Sequence, residues 1–204
     1  MTRLDHLVVL AETLEQGQGC VEEALGLKLP PAGGPHPQMG THNRLLRLGS
    51  GAYLEIIAVD PAAPPPAHPR WFGLDAFSGA PRLGTWVART EALERYRGLG
   101  LGSPQTARRG SLEWLIAIPE DGRLNWGGVV PYLIQWGPAH PTDTLPDVGC
   151  ELVELVLLHP EPDPVRAVLT ALELDLGKIR LERAPKPELM AFIQTPGGLK
   201  LLSP

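Results

Sequence analysis

The stretch LDHLVVL, residues 4–10, is an apolar run interrupted only by Asp5 and His6. A short run of this kind is typical of a buried β-strand. Apolar residues then recur at helical spacing behind Thr13, which is a suitable helix N-cap, and Gly26 provides a stop. The first part of the chain therefore predicts a strand followed by a helix.

A β-hairpin is predicted next. Its strands are residues 42–48 and 52–59, and they are joined at Gly49-Ser50-Gly51. A further short strand is expected near the glycine- and proline-rich residues 30–40 that precede the hairpin. The first sixty residues thus predict the order βαβββ.

The same order of elements is predicted twice more. The tails YLEI, YLIQ and LKLL, which begin at residues 53, 132 and 199, align as closing strands. A repeat of this length is longer than most solenoid periods and fits duplicated supersecondary modules. We therefore predict an α+β protein of repeated βαβββ modules that pack into one compact unit. The three modules are residues 1–60, 82–138 and 150–204. A proline-rich linker, residues 61–81, joins the first two, and a connector, residues 139–149, joins the last two.

Composition narrows the range of partners. The formal net charge is −5, and 20% of the 204 residues are charged, so the chain offers no basic patch for nucleic acid or an anionic membrane. The sequence contains neither a signal-peptide pattern at its start nor an apolar stretch of about 20 residues, the length that spans a bilayer. Cys20 and Cys150 lie far apart without metal-type spacing, which favours reduced thiols. We expect a cytoplasmic protein.

Strand alternation makes His6 and Glu55 the leading candidates for a functional site. Because neighbouring side chains point to opposite faces of a strand, His6 shares a face with Leu4 and Val8. Glu55 shares a face with Tyr53 and Ile57. A glutamate within an apolar strand is costly to bury unpaired, so we expect a metal, a cation or a hydrogen-bond donor beside it.

The hairpin turn decides which residue faces Glu55. A two-residue turn would place Arg44 opposite Glu55, with His42 on the same face. A three-residue loop would instead place Leu45 opposite, with Asn43 on that face. The residues alone leave both registers open.

These motifs resemble the vicinal oxygen chelate superfamily, which includes glyoxalase I, extradiol dioxygenases and the bleomycin-resistance proteins. The resemblance rests on Leu-Asp-His-Leu-Val at residues 4–8, His36, Gly-Thr-His-Asn-Arg-Leu at residues 40–45, and Tyr-Leu-Glu-Ile at residues 53–56. More narrowly, the set is similar to bacterial glyoxalase-like proteins. The resemblance implies curved mixed sheets around a cup-shaped pocket, with helices packed on the outside.

The resemblance also implies a divalent metal inside the cup, bound by the first and last strands of paired modules. Imidazole and carboxylate ligands suit Zn, Fe, Mn or Ni. His6 and Glu55 would serve in the first module, and Glu154 could ligate from the third. The other positions weaken the metal hypothesis, since the second module offers Thr85 with Gln135 or Ile134, and the third offers Lys200.

Further residues are expected to hold a ligand. The resemblance favours His36 and Asn43 as pocket residues. Lys200 or Arg44 could grip a carboxylate or phosphate, and Trp86 and Trp136 are candidates for an apolar wall. The predicted ligand-binding residues are His36, Asn43, Arg44, Trp86, Gln135 and Lys200.

The leading hypothesis is a glyoxalase-like enzyme that acts on a small oxygenated metabolite. Glu55 would act as a general base or metal ligand, and His6 as a ligand or hydrogen-bond donor, in proton abstraction next to a carbonyl. The alternative is a non-catalytic small-molecule binding protein of the bleomycin-resistance type. Edge strands in such sheets often pair between chains, so a homodimer is also considered.

Overall fold

A computed structural model describes residues 1–203. It contains twelve strands and two α-helices, together with four short 3-10 segments. In chain order the strands and helices are β1 (Arg3–Leu10), α1 (Leu14–Leu25), β2 (Gly33–His36), β3 (Thr41–Arg47), β4 (Tyr53–Val59), β5 (Arg82–Arg89), β6 (Ser103–Arg109), β7 (Leu112–Ile118), β8 (Tyr132–Trp136), β9 (Glu151–His159), α2 (Pro162–Ala171), β10 (Ile179–Arg183), β11 (Glu188–Thr195) and β12 (Gly198–Leu202). The predicted α+β class with curved mixed sheets is confirmed.

The first helix has the boundaries that its capping residues predict. The Thr13 hydroxyl accepts a hydrogen bond from the Gln16 amide at 3.2 Å, and Gly26 ends the helix in the left-handed conformation. The helix packs on β4 and β12. A Cβ on Gly17 would come within 2.5 Å of Cγ2 of Ile56, so a glycine here allows the helix to approach the sheet closely.

The strands of residues 3–136 form one eight-stranded sheet in the order β2-β3-β4-β1-β5-β8-β7-β6. Its two halves have the same strand order about the central antiparallel pair of β1 and β5. The sheet curls until its edge strands β2 and β6 come into contact. The two halves consequently enclose one cup.

The two faces of this sheet have different partners. Leu7 and Ile56 belong to the core that the large sheet forms with α1 and the second sheet. Val8 and Ile57 face the other way, into the cup. Residues Trp71–Ala76 form a 3-10 segment that inserts Trp71 and Phe72 among them.

This inserted segment is held by the second half of the sheet. The Phe72 amide donates a hydrogen bond to the Tyr132 hydroxyl at 3.1 Å, and that hydroxyl donates to the Arg123 carbonyl at 2.6 Å. Phe72 has a positive φ of 59°, a conformation that non-glycine residues adopt only where the surroundings enforce it. This part of the aromatic wall of the cup is thus held in place by Tyr132 of β8.

The third predicted unit forms a separate four-stranded sheet in the order β10-β9-β11-β12. Its elements follow one another in the same order as in the first unit, but β9 and β10 pair directly and in parallel. The pairing therefore differs from that of the first two units. This sheet packs against α1 and β5, outside the cup.

Among residues 1–203 there is no helix of the length and hydropathy needed to cross a membrane.

Candidate functional site

The candidate site is a buried cluster of polar side chains on the floor of the cup. Its centre is His6 on β1, whose Nδ1 lies 2.7 Å from the Asp5 carboxylate and whose Nε2 lies 3.4 Å from Oε2 of Glu55 on β4. All three residues are 5% exposed or less. A buried imidazole therefore lies between two buried carboxylates.

Asp5 reaches this cluster because of a β-bulge. The pairing of β1 with β5 shifts between Leu4 and His6, so Asp5 is an extra residue in its strand. Simple alternation would send Asp5 and His6 to opposite faces. The bulge instead allows the Asp5 carboxylate to bond the neighbouring imidazole.

Asp5 is surrounded by donors. Its Oδ2 accepts a hydrogen bond from Nε1 of Trp136 at 3.1 Å and lies 3.0 Å from Nε2 of His140 and 3.7 Å from Arg89. Burial alone would raise the pKa of Asp5, but the hydrogen bonds from His140 and His6 outweigh it and hold the pKa well below the ordinary value. Asp5 is therefore a permanent buried anion.

The same network fixes the charges of His6 and Glu55. Burial lowers the pKa of His6, but the hydrogen bond with Asp5 and the proximity of Glu55 raise it to about 9. Burial raises the pKa of Glu55, but His6 and Asn43 lower it to about 2. At neutral pH the pair is an imidazolium and a carboxylate. The His6 ring also stacks on Tyr53 with ring centroids 4.5 Å apart.

Asn43 joins this pair to a second polar group. Its Nδ2 donates to Oε1 of Glu55 at 2.6 Å, and it lies 3.3 Å from Nε2 of His36. Its Oδ1 accepts from Arg109 at 2.7 Å and from the Gly34 amide at 3.0 Å. Asn43 reaches Glu55 because β3 and β4 pair in the register that places Leu45 opposite Glu55, the second of the two that the hairpin allows.

His36 is the neutral histidine of the site. Its Nδ1 lies 3.1 Å from the Thr41 hydroxyl, and its Nε2 lies 3.2 Å from NH1 of Arg109. Burial lowers its pKa to about 4; the positive charge of Arg109 adds to this effect, and Glu55 opposes it. At neutral pH Nε2 of His36 is therefore a hydrogen-bond acceptor.

These side chains surround a cavity of about 30 Å³, roughly the space of one water molecule. Apolar and aromatic residues supply the opposite wall. The cavity is lined by His6, His36, Asn43, Leu45, Tyr53, Glu55, Trp71, Phe72, Arg109, Trp114, Ile116, Ile134 and Trp136.

Four predicted ligand-binding residues lie outside this cavity. Trp86 pairs with Leu7, on the face away from His6, and its Nε1 donates to the Val129 carbonyl. Gln135 alternates with Ile134 and accepts a hydrogen bond from the Leu93 amide. Arg44 alternates with Asn43, and Lys200 belongs to β12 of the second sheet. His6, His36, Asn43 and Glu55 are the predicted residues that the fold brings together.

Of the three predicted metal ligands, His6 and Glu55 lie together and Glu154 does not. Glu154 lies on β9 of the second sheet, where its carboxylate pairs with Arg180 at 3.0 Å. Within residues 1–203, no three histidine, cysteine, aspartate or glutamate side chains are grouped as a metal site requires. Nδ1 of His6 bonds Asp5, which leaves Nε2 of His6 and Oε2 of Glu55 as two donors that face each other, without a third such ligand beside them among the described residues. The donor set does not fit a divalent metal held by three protein ligands.

Several residues of the site had no clear sequence signal. Trp71 and Phe72 fall in the predicted linker, His140 in a proline-rich connector, and Arg109 beside Arg108 at a strand end. Asp5 had the strongest signal, since it forms the Asp-His pair, but its contact depends on the bulge. Only the folded sheet brings these residues to the cluster.

Two units of equal strand order that close around one polar cup define the vicinal oxygen chelate fold. Residues 4–173 match the sequence profile of the glyoxalase-like domain. The chain belongs to this glyoxalase-like domain family. No curated protein has a significantly similar sequence.

Solved structures share the fold at low sequence identity. A hypothetical protein from Staphylococcus aureus is 13% identical with a TM-score of 0.64, covering 92% of this chain and 88% of its own. Methylmalonyl-CoA epimerase from Mycobacterium tuberculosis is 20% identical with a TM-score of 0.43, covering 69% and 90%. A Streptomyces coelicolor methylmalonyl-CoA epimerase variant in complex with 2-nitronate-propionyl-CoA is 15% identical with a TM-score of 0.45, covering 68% and 99%. At these identities the likeness concerns the fold alone.

Proposed function

We propose that the protein is a glyoxalase-like enzyme that binds a small oxygenated metabolite and transfers a proton at the carbon next to its carbonyl group. The observation that carries this proposal is the buried chain Asp5–His6–Glu55, whose last two members line the cavity. A buried cation beside a buried carboxylate is the pairing that carbonyl activation and proton abstraction require.

His6 would polarise the carbonyl oxygen. Asp5 fixes the ring through Nδ1, so the Nε2 proton lies on the side of Glu55, and both residues line the cavity. The 3.4 Å separation from Glu55 is longer than the 2.7–2.9 Å typical of a strong charge-assisted hydrogen bond. Nε2 can therefore donate to a ligand oxygen and stabilise the negative charge that develops there.

Glu55 would accept the proton from carbon. Asn43 holds Oε1, so Oε2, which faces Nε2 of His6 at 3.4 Å, is the oxygen left to accept a proton. A ligand oxygen that accepts the hydrogen bond from His6 weakens the interaction that lowers the Glu55 pKa, and burial then makes this carboxylate more basic. The carbon–hydrogen electron pair becomes the new carbon–carbon double bond, the carbonyl π pair moves onto the oxygen to give an enolate, and the proton moves to Oε2.

The test is proton exchange in D2O, followed by proton NMR. The probe is 2-oxobutanoate, whose C3 protons lie next to its carbonyl. Wild-type protein should accelerate their replacement by deuterium, and Glu55→Gln should slow the catalysed rate at least about a hundredfold, as expected for loss of a general base. Glu94→Gln is the matched control because Glu94 is 64% exposed and pairs with Arg97 away from the cup. No catalysed exchange with 2-oxobutanoate, or an unchanged rate in Glu55→Gln, would contradict the proposal.

A non-catalytic binding protein is the second candidate function. The observation that favours it is the low pKa of Glu55, about 2, which makes the carboxylate a weak base while His6 remains its partner. The aromatic wall of Trp71, Trp114 and Trp136 is suited to holding a ligand. If a ligand quenches the tryptophan fluorescence but the protein catalyses no deuterium exchange in that ligand, the binding function is favoured.

A further inference from the structure

Arg109 lies between the cavity and an outer groove. The groove has a volume of about 840 Å³ and is formed by β2, the turn that follows it, and the hairpin of β6 and β7. Arg109 lines both the groove and the inner cavity, and within residues 1–203 no other residue does so. A ligand that enters from the groove therefore meets this guanidinium first.

The bonding of Arg109 leaves part of its guanidinium unused. NH1 lies 2.7 Å from Oδ1 of Asn43 and 3.2 Å from Nε2 of His36, and both are uncharged acceptors. Within residues 1–203, Arg109 forms no ion pair with a carboxylate, and its Nε and NH2 donate no hydrogen bond. The side chain is half-buried. A half-buried arginine without an anionic partner is free to bind an anionic group of a ligand.

The position of Arg109 relative to Glu55 sets the length of that ligand. The Asn43 amide lies between them, bonded to Arg109 through Oδ1 and to Glu55 through Nδ2. The arginine and the proposed base are thus one side-chain amide apart. A link this short favours a compound whose anionic group lies next to, or one carbon from, its carbonyl.

We infer that Arg109 recognises the carboxylate of a short oxo acid, with the fork of Nε and NH2 bonding both carboxylate oxygens. The cavity beside His6 and Glu55 has room for about one water molecule, so its wall must move apart to admit the carbonyl group of the same molecule there. This inference rests on the proposed function for the location of the carbonyl, and it adds the class of substrate and a residue that determines specificity.

The test compares a matched pair of probes by quenching of tryptophan fluorescence, since Trp71, Trp114 and Trp136 line the cavity. 2-Oxobutanoate carries a carboxylate, and 2-butanone has a methyl group in its place. Wild-type protein should prefer 2-oxobutanoate. Arg109→Gln should weaken 2-oxobutanoate binding about tenfold to a hundredfold and leave 2-butanone binding unchanged, as expected for a charge-assisted hydrogen-bond pair.

Two variants separate recognition from general effects. Arg109→Lys retains the charge but loses the fork, so its affinity for 2-oxobutanoate should be intermediate. Arg108→Gln removes the same charge from an exposed position in the groove and should leave the preference intact. Thermal unfolding midpoints of all variants establish that each is folded before binding is compared.

The outcomes distinguish this inference from the proposed function. Preferential binding of 2-oxobutanoate that disappears in Arg109→Gln supports the inference, even if wild-type protein exchanges no protons and the proposed function fails. No preference in wild-type protein, equal weakening of both probes in Arg109→Gln, or the same loss in Arg108→Gln overturns it, even if proton exchange is observed. Glu55→Gln should retain the preference and lose exchange.

Discussion

Replacement of Asp5 by asparagine is the most direct perturbation of the buried network. Asp5 is fully buried, and its charge is matched by His6, with Arg89 at 3.7 Å. Asparagine has nearly the same shape but no charge. The substitution therefore removes the anion and leaves the protein to bury its cations without it.

The expected cost follows from these contacts. Removal of one partner from a buried ion pair destabilises proteins by about 3–5 kcal/mol, because an uncompensated charge remains. Asparagine can still accept a hydrogen bond from Trp136, so we expect the lower part of this range. The pKa of His6 should fall from about 9, since the hydrogen bond with Asp5 is the first interaction that raises it.

Two measurements test this prediction. Urea unfolding at pH 7 gives the difference in the free energy of unfolding between wild type and Asp5→Asn, and an NMR titration gives the pKa of His6. Asp121→Asn is the control, because the Asp121 side chain is 57% exposed and pairs only with Arg123, so its loss should cost about 1 kcal/mol or less. A cost for Asp5→Asn no larger than that of the control, with an unchanged His6 pKa, would refute the buried-pair reasoning.

Three further predictions concern the same cup. The pKa of His36 is lowered from 6.5 to about 4, so the contribution of its neutral form to stability is fully present above pH 6.5 and is lost as the pH falls towards 4. Urea unfolding of the wild type should show a loss of about 3 kcal/mol in the free energy of unfolding over this range, and His36→Gln should not show it. Asn43→Ala removes the 2.6 Å donor to Glu55 and should destabilise the protein by about 1–3 kcal/mol, measured by the same unfolding; a change below about 0.5 kcal/mol would contradict it. Trp86→Phe should lower stability by about 1–3 kcal/mol without changing the affinity for 2-oxobutanoate, whereas Trp136→Phe should change that affinity, as measured by isothermal titration calorimetry.

Much of the fold could be predicted because local signals agree with the tertiary structure. Thr13 and Gly26 fix the ends of the first helix, and alternation places Glu55 on the cup face of its strand. The pairing of the third unit could not be predicted in this way. The order of its elements repeats that of the first unit, but strand pairing depends on long-range contacts that periodicity does not encode.

The site was only partly predictable for a related reason. His6, Glu55, Asn43 and His36 come from the first unit, where the motif is contiguous enough to be recognised. The wall and Arg109 come from distant segments that the curling of the sheet brings together. Trp86 illustrates the limit, since one step in strand register decides whether a tryptophan faces the cup or the core.

The two halves of the cup have the same strand order but different chemistry, and this difference orients a ligand. On β5 the counterparts of Asp5 and His6 are Gly84 and Thr85, and a Cβ at Gly84 would lie 2.4 Å from Leu10, so an aspartate has no room there. On β8 the residue at the register position of Glu55 is the buried Tyr132, and Ile134 further along the strand lines the cavity as an apolar residue. The buried charges next to the carbonyl position come from one half, and the aromatic wall comes from the linker and the other half. A ligand with one polar and one apolar side therefore has a single favourable orientation. The loss of symmetry between the duplicated halves is thus what would give the pocket its selectivity.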